Sequence, residues 1–125
     1  IIHIAGGGGT SPTENNIPIS LANISILNFT RALSDAVSTD GILVNAICPG
    51  ITNTQRSRNI HQARAEKEKR DVEEVLRELG RELPAGRIAE PEEIANVVTF
   101  FASEACSYIF GSSLYMDGGE RRGTP

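Results

Sequence analysis

Hydrophobic positions follow two patterns along the chain. Short continuous apolar runs occupy residues 1–5 and 42–48, and a third, at 112–116, ends in Leu114, Tyr115 and Met116. Glycine closes each run: Gly6 to Gly9 the first, Pro49-Gly50 the second and Asp117-Gly118-Gly119 the third. Runs of this length and β-branched content predict buried strands of a parallel sheet. Between them the spacing turns helical. Ser20 reads as the N-cap after a polar loop at 10–19, and the helix is predicted over 21–37. Ala22, Ile26, Phe29, Leu33 and Ala36 or Val37 form one stripe, with Leu21, Ile24 and Leu27 partly off it. A stripe this wide predicts burial on two sides, against a sheet and against a second helix of this or another subunit.

Residues 55–80 are rich in Arg, Glu and Lys, and Val72, Val75, Leu76, Leu79 and Leu83 keep a helical stripe through the second half. Glu66 with Arg70, and Glu73 with Arg77, are Glu-first pairs at helical spacing. The segment reads as a solvated amphipathic helix. Its place directly after a strand end makes residues 55–83 a candidate lid. Pro91, Glu92 and Glu93 then signal a helix start, followed by Ile94, Val97, Val98, Phe101 and Ala102. Residues 120–125 form a polar tail.

Strands alternating with helices imply right-handed crossovers and an α/β fold on a parallel sheet. Three strands leave the first one's outer edge bare, so part of the sheet is expected from elsewhere. The chain opens at Ile1 inside what reads as a core strand, as expected of a single partial domain over 1–125 whose natural beginning is missing. The second run is broken sharply by Pro49-Gly50 and followed by hydroxyls at Thr52 and Thr54. Carboxyl ends of strands are where open α/β sheets bind ligands.

Charge and composition narrow the function classes. Apolar residues make up 39% and charged residues 22%, which excludes a disordered chain, and the net charge of −4 gives no general attraction for nucleic acid or an anionic membrane. No apolar run approaches a bilayer-spanning length. Cys48 and Cys106 are expected to be reduced, buried thiols of a cytoplasmic protein. No metal site is assigned. The four glycines miss the dinucleotide fingerprint, because the third glycine position holds Ser11 or Pro12, and no Gly-Lys-Ser/Thr follows. They read as a flexible turn. His3, inside a strand, reads as a packed or hydrogen-bonded histidine rather than a base.

Several motifs, in order, resemble the carboxyl-terminal half of the short-chain dehydrogenase/reductase family. Asn28-Phe29-Thr30-Arg31-Ala32-Leu33 is similar to the middle of that family's fifth helix, and the stretch from Asp40 to Thr54 to its sixth strand and Pro-Gly turn. Gly86-Arg87-Ile88-Ala89-Glu90-Pro91 resembles the start of its last major helix, and Tyr108, Gly111, Tyr115 and Asp117-Gly118-Gly119 its last strand and closing turn. The resemblance implies the carboxyl-terminal part of a Rossmann-type doubly wound sheet, with three strands and three to four helices. It also implies NAD(P)-dependent hydride transfer on an alcohol or carbonyl compound by a full-length protein. The half that would carry the glycine-rich turn lies outside the match, so this chain alone is expected to bind no NAD or NADP.

The resemblance places the cofactor's nicotinamide side against Pro49, Gly50, Ile51 and Thr54, with Thr52 a weaker candidate. It places the family's catalytic Ser, Tyr and Lys at Gly6, Ile19 and Asn23, none of which matches. Three functions follow: an oxidoreductase inactive as this chain, a catalytically degenerate binding or regulatory relative, or an assembly subunit acting through the 21–37 helix and the last strand. The substrate is a small molecule of unassigned identity, and a homo-oligomer through the 21–37 helix is implied.

Overall fold

The computed structural model describes residues 1–122; the end of the predicted tail, residues 123–125, lies outside the described residues. Three strands, β1 (Ile2–Ile4), β2 (Asn45–Pro49) and β3 (Ser113–Met116), form one parallel sheet in the order β1-β2-β3. Four α-helices accompany them: α1 (Ile17–Val37), α2 (Gln55–Glu68), α3 (Val72–Glu82) and α4 (Pro91–Ala102). Ile2 pairs with Asn45 and Cys48 with Tyr115, so both crossovers run parallel through helices, as the alternating pattern predicted. No helix among the described residues is long and apolar enough to cross a membrane.

The sheet is covered on both faces, which explains the near-continuous apolar run of β2. Ala46 and Cys48 point to one face and pack with Ala5, Leu27, Ile24 and Ile26, placing α1 there. Ile47 points to the other face and packs with Phe101, Cys106, Val97 and Val98, placing α4 there. Asn45 is buried within this strand without penalty. Its Nδ2 donates to the Ile109 carbonyl at 2.7 Å, and its Oδ1 accepts from the Ser112 N–H at 2.9 Å. The chain entering β3 is thereby locked beside β2. Both cysteines are buried free thiols.

α1 departs from its predicted form. It begins at Ile17, because Pro18 falls in the first turn, where its missing N–H is harmless. Ser20 lies inside the helix and donates to Asn16 Oδ1 at 2.7 Å instead of capping it. The buried face is Ser20, Leu27, Thr30 and Ser34, while Phe29, Leu21 and Ile19 are more than half exposed. Small and hydroxyl side chains let the helix approach the sheet closely, and Thr30 can be buried because its hydroxyl donates to the Ile26 carbonyl at 2.8 Å. Thr30 also meets His3 Nδ1 at 2.8 Å, so His3 is a hydrogen-bonded histidine, as read.

The charged segment is two helices. α2 ends at Lys69, whose backbone is left-handed (φ 53°, ψ 45°), and α3 is capped by Asp71, whose Oδ1 accepts from the Glu73 N–H at 2.7 Å. The break separates Glu66 from Arg70, and the predicted pairs do not form. Arg70 reaches Glu78 at 2.6 Å, and Arg77 donates to the Glu73 backbone carbonyl rather than its carboxylate. One pair along α2 does form, Arg64 with Glu68 at 2.8 Å, and further pairs cross the hairpin. Glu78 bridges Arg64 at 2.7 Å and Arg70 at 2.6 Å, and Arg58 reaches Glu73 at 2.6 Å. Ala65, Val75 and Leu76 are buried under this network.

Candidate functional site

β2 ends where Pro49 can donate no further hydrogen bond, and the loop after it is tied down on two sides. The Gly50 N–H donates to the Met116 carbonyl at 2.9 Å. A side chain at Gly50 would stand 2.8 Å from the Asp117 Cα, so only glycine lets the two strand ends close on each other. Farther on, the Ala89 N–H donates to the Ile51 carbonyl at 3.0 Å, and the Asn53 N–H donates to the Ala89 carbonyl at 2.8 Å. These bonds hold Thr52 in a bridge beside Ala89.

Thr54 caps α2: its hydroxyl oxygen accepts from the Ser57 N–H at 3.3 Å. The Ser57 hydroxyl donates to the Thr52 carbonyl at 2.5 Å, and the Thr52 hydroxyl to the Gly50 carbonyl at 3.1 Å. The five predicted cofactor-side residues are thus one continuous turn. The N–H groups of Ile51 and Thr52 have no hydrogen-bond partner among the described residues, and they sit beside the amino end of α2. Free N–H donors beside a positive helix end fit a carboxamide oxygen or a phosphate. The residues present therefore fit the nicotinamide end of a dinucleotide.

Pro49, Gly50, Ile51, Thr52 and Thr54 line a cleft of about 1450 Å³. His61 on α2 and Arg121 beyond β3 line it from other sides. Burial, and then the charge of Arg64, hold the His61 ring below the ordinary histidine value, so it faces the cleft neutral at physiological pH. Burial pushes the Cys48 thiol up, against a smaller opposing pull from Arg121.

The three positions at which the resemblance places the catalytic Ser, Tyr and Lys, namely Gly6, Ile19 and Asn23, converge, and their groups hydrogen-bond to each other. The Gly6 N–H donates to Asn23 Oδ1 at 2.7 Å, and Asn23 Nδ2 donates to the Ile19 carbonyl at 2.9 Å. The Ile19 side chain is 54% exposed, so it neither fills the core nor offers a proton. Among the described residues there is no group of three or more His, Cys, Asp or Glu side chains placed to hold a metal.

Two contributors to this site escaped the sequence. Asn53 donates to the Glu90 carboxylate at 3.0 Å and accepts from Arg58 at 2.7 Å, which links the turn to α2 and α4. Arg121 sits in a stretch that reads only as a polar tail. Neither carries a periodic or motif signal, since each is defined by partners distant in sequence.

A family model described as enoyl-(acyl carrier protein) reductase matches residues 1–120. Acetoacetyl-CoA reductase of Shinella zoogloeoides is 36% identical over 121 residues, covering 96% of this chain and 46% of that protein. L-sorbose reductase of Gluconobacter frateurii, solved with NADPH and L-sorbose, is 29% identical with a TM-score of 0.93, covering 99% of this chain and 48% of its own. A short chain oxidoreductase of Pseudomonas aeruginosa PAO1, described as containing an atypical catalytic center, is 27% identical with a TM-score of 0.86 over 99% of this chain and 48% of its own. The chain thus spans about half the length of the relatives it matches. With these matches over nearly its whole length and the sheet, helices and turn in the family's order, the chain belongs to the short-chain dehydrogenase/reductase family and corresponds to the carboxyl-terminal part of its Rossmann-type fold.

Proposed function

We propose that this chain supplies the nicotinamide side of an NAD(P)-dependent oxidoreductase acting on an alcohol or carbonyl compound. The observation that carries this reading is the turn over residues 49–54, pinned by Met116 and Ala89 with donors left free beside the amino end of α2. The bound cofactor would donate or accept hydride there. Pro49 and Gly50 set the loop's path, Ile51 and Thr52 offer N–H donors, and Thr54 fixes the amino end of α2 beside them. The α2–α3 hairpin, residues 55–82, stands next to this turn as the lid.

No turnover is expected from the chain itself. Its 125 residues hold no Gly-x-Gly-x-x-Gly turn for the pyrophosphate. Asn23, at the lysine position, carries no charge, and its carboxamide already joins Gly6 to Ile19. This engagement favours a second reading, a relative that keeps the fold for binding or regulation. The exposed Leu21 and Phe29 on the outer face of α1 support self-association through that helix, tested by sedimentation of Phe29→Arg against the unmodified chain.

The deciding experiment follows nicotinamide fluorescence while NADH and NADPH are titrated into the chain alone, and into the chain joined to a relative's glycine-rich amino-terminal half. Binding only by the joined protein is expected. Tight binding by the chain alone refutes an incomplete site, and binding by neither refutes the cofactor reading. In the joined protein, Gly6→Ser, Ile19→Tyr and Asn23→Lys together are expected to raise carbonyl reduction about 10²–10⁴-fold, the usual worth of positioned acid–base help. An unsubstituted protein that already reduces carbonyls as fast would sink the degenerate reading.

A further inference from the structure

We infer that Arg121 receives an anionic group, a carboxylate or phosphate carried by the carbonyl substrate. This rests on the reading of the cleft as a substrate site. The Arg121 guanidinium carbon lies 4.1 Å from the centre of the Tyr115 ring, over its face. A guanidinium stacked on an aromatic face is held in orientation while its N–H edge stays free for a bidentate partner. Arg121 has no ion-pair partner within the described residues, although it lines the cleft and is partly buried.

The Asp117 carboxylate is otherwise engaged. Asp117 accepts the Gly119 N–H on Oδ1 at 2.9 Å and the backbone N–H of Arg121 on Oδ2 at 3.2 Å. Glu120 lines the cleft but is exposed to solvent. The platform is itself fixed, because the Tyr115 hydroxyl meets the hydroxyl of Thr10, a residue that lines the cleft, at 3.0 Å. Tyr115 pairs with Cys48 in the sheet, which sets the positive charge over the carboxyl end of β2, one residue before the Pro49-Gly50 turn. A cation held over the strand end, its edge donors free, complements an oxyanion a short distance from the reacting carbonyl. A neutral substrate would leave that charge uncompensated once the hairpin shut out water.

The test needs neither cofactor nor turnover, so it stands apart from the hydride-transfer reading. Saturation-transfer NMR on the 125-residue chain compares acetoacetate with methyl acetoacetate, and dihydroxyacetone phosphate with dihydroxyacetone. At least one anion is expected to bind about ten-fold or more tightly than its neutral counterpart. Arg121→Ala is expected to abolish that ratio, with the anion losing affinity, while Arg121→Lys keeps part of it. The pair whose ratio depends on Arg121 identifies carboxylate or phosphate as the group recognised. Tyr115→Leu should weaken the ratio with the charge still present, as a positioning role requires. Equal binding within both pairs, no binding of any probe, or a ratio that survives Arg121→Ala overturns the inference. So does Arg121→Ala weakening NADPH in the joined protein while the anion ratios persist, since Arg121 would then serve the cofactor. Failure of NADPH to bind the joined protein would remove the hydride-transfer reading and leave the anion ratios standing.

Discussion

Asn23 Oδ1 accepts the Gly6 N–H at 2.7 Å, tying the end of β1 to the first half of α1. The same carboxamide donates to the Ile19 carbonyl one turn back, so its orientation is fixed from both ends. A side chain on Gly6 would stand 3.0 Å from Asn23 Nδ2, which shows how closely the strand end and helix approach. Asn23→Ala leaves a partly buried N–H without its acceptor. The expected loss is about 1–2 kcal/mol, read as a lower urea midpoint at unchanged slope. A midpoint equal to that of the unmodified chain would mean that water replaces the carboxamide without cost.

Gly50 makes the closest backbone approach in the candidate site. Gly50→Ala puts a methyl group 2.8 Å from the Asp117 Cα, where backbone meets backbone and no flexible side chain can yield. Destabilisation of about 1–3 kcal/mol is expected, with amide shifts spreading through Gly118 and Gly119. Gly7→Ala is the matched control, because nothing lies within 4 Å of the position its Cβ would take and its φ is not positive. Equal effects from the two substitutions would show that the close contact is not what constrains Gly50.

Lys69 ends α2 with φ 53°, the sole non-glycine residue with positive φ among the described residues. Its N–H and that of Arg70 close the helix on Ala65 and Glu66, the geometry in which glycine is favoured. A side chain in that region costs about 1–2 kcal/mol. Lys69→Gly is therefore expected to stabilise the chain by about 0.5–1 kcal/mol, the greater freedom of unfolded glycine offsetting part of the relief. Denaturant unfolding measures the sign, and a lower midpoint would contradict the left-handed cap.

The sheet, α4 and the 49–54 turn were legible because their signals are local: uninterrupted apolar runs, Pro91 with two glutamates, and Pro-Gly at a strand end. The buried face of α1 was not. It is built from Ser20, Thr30 and Ser34, which periodicity scores as polar, and their burial depends on a helix-to-sheet approach that spacing does not reveal. The break at Lys69 was hidden for a related reason, since no glycine announces the left-handed turn. Once the hairpin folds, Glu78 lies between Arg64 and Arg70, and these contacts override the helical pairs that spacing suggested. Asn53 and Arg121 show the limit for the site itself, because their roles come from Glu90 and Tyr115, which only the fold brings to them.

Glu93 links acid stability to the same turn. Arg87 grips its carboxylate with two bonds of 2.7 Å, and the Glu90 N–H donates to it at 2.8 Å. The hydrogen bond from Arg87, followed by that from Glu90, lowers its pKa from 4.5 to about 2. A carboxyl whose folded value is depressed stabilises fully above its unfolded value, and that stabilisation drains away as pH falls through the folded one. The window is therefore from about pH 4.5 down to about pH 2. Both partners are exposed, so the effect is screened and should shrink further in high salt. The unmodified chain is expected to lose stability across this window more steeply than Glu93→Gln or Arg87→Ala, as followed by denaturant midpoints at successive pH values. The loss has a local target: Ala89, between the two partners in sequence, holds Ile51 and Asn53 by its backbone. Acid should accordingly speed amide exchange at Ala89 and Asn53 before it reaches the β2–β3 ladder. Parallel pH profiles for the unmodified and substituted chains would show that this ion pair does not support the turn.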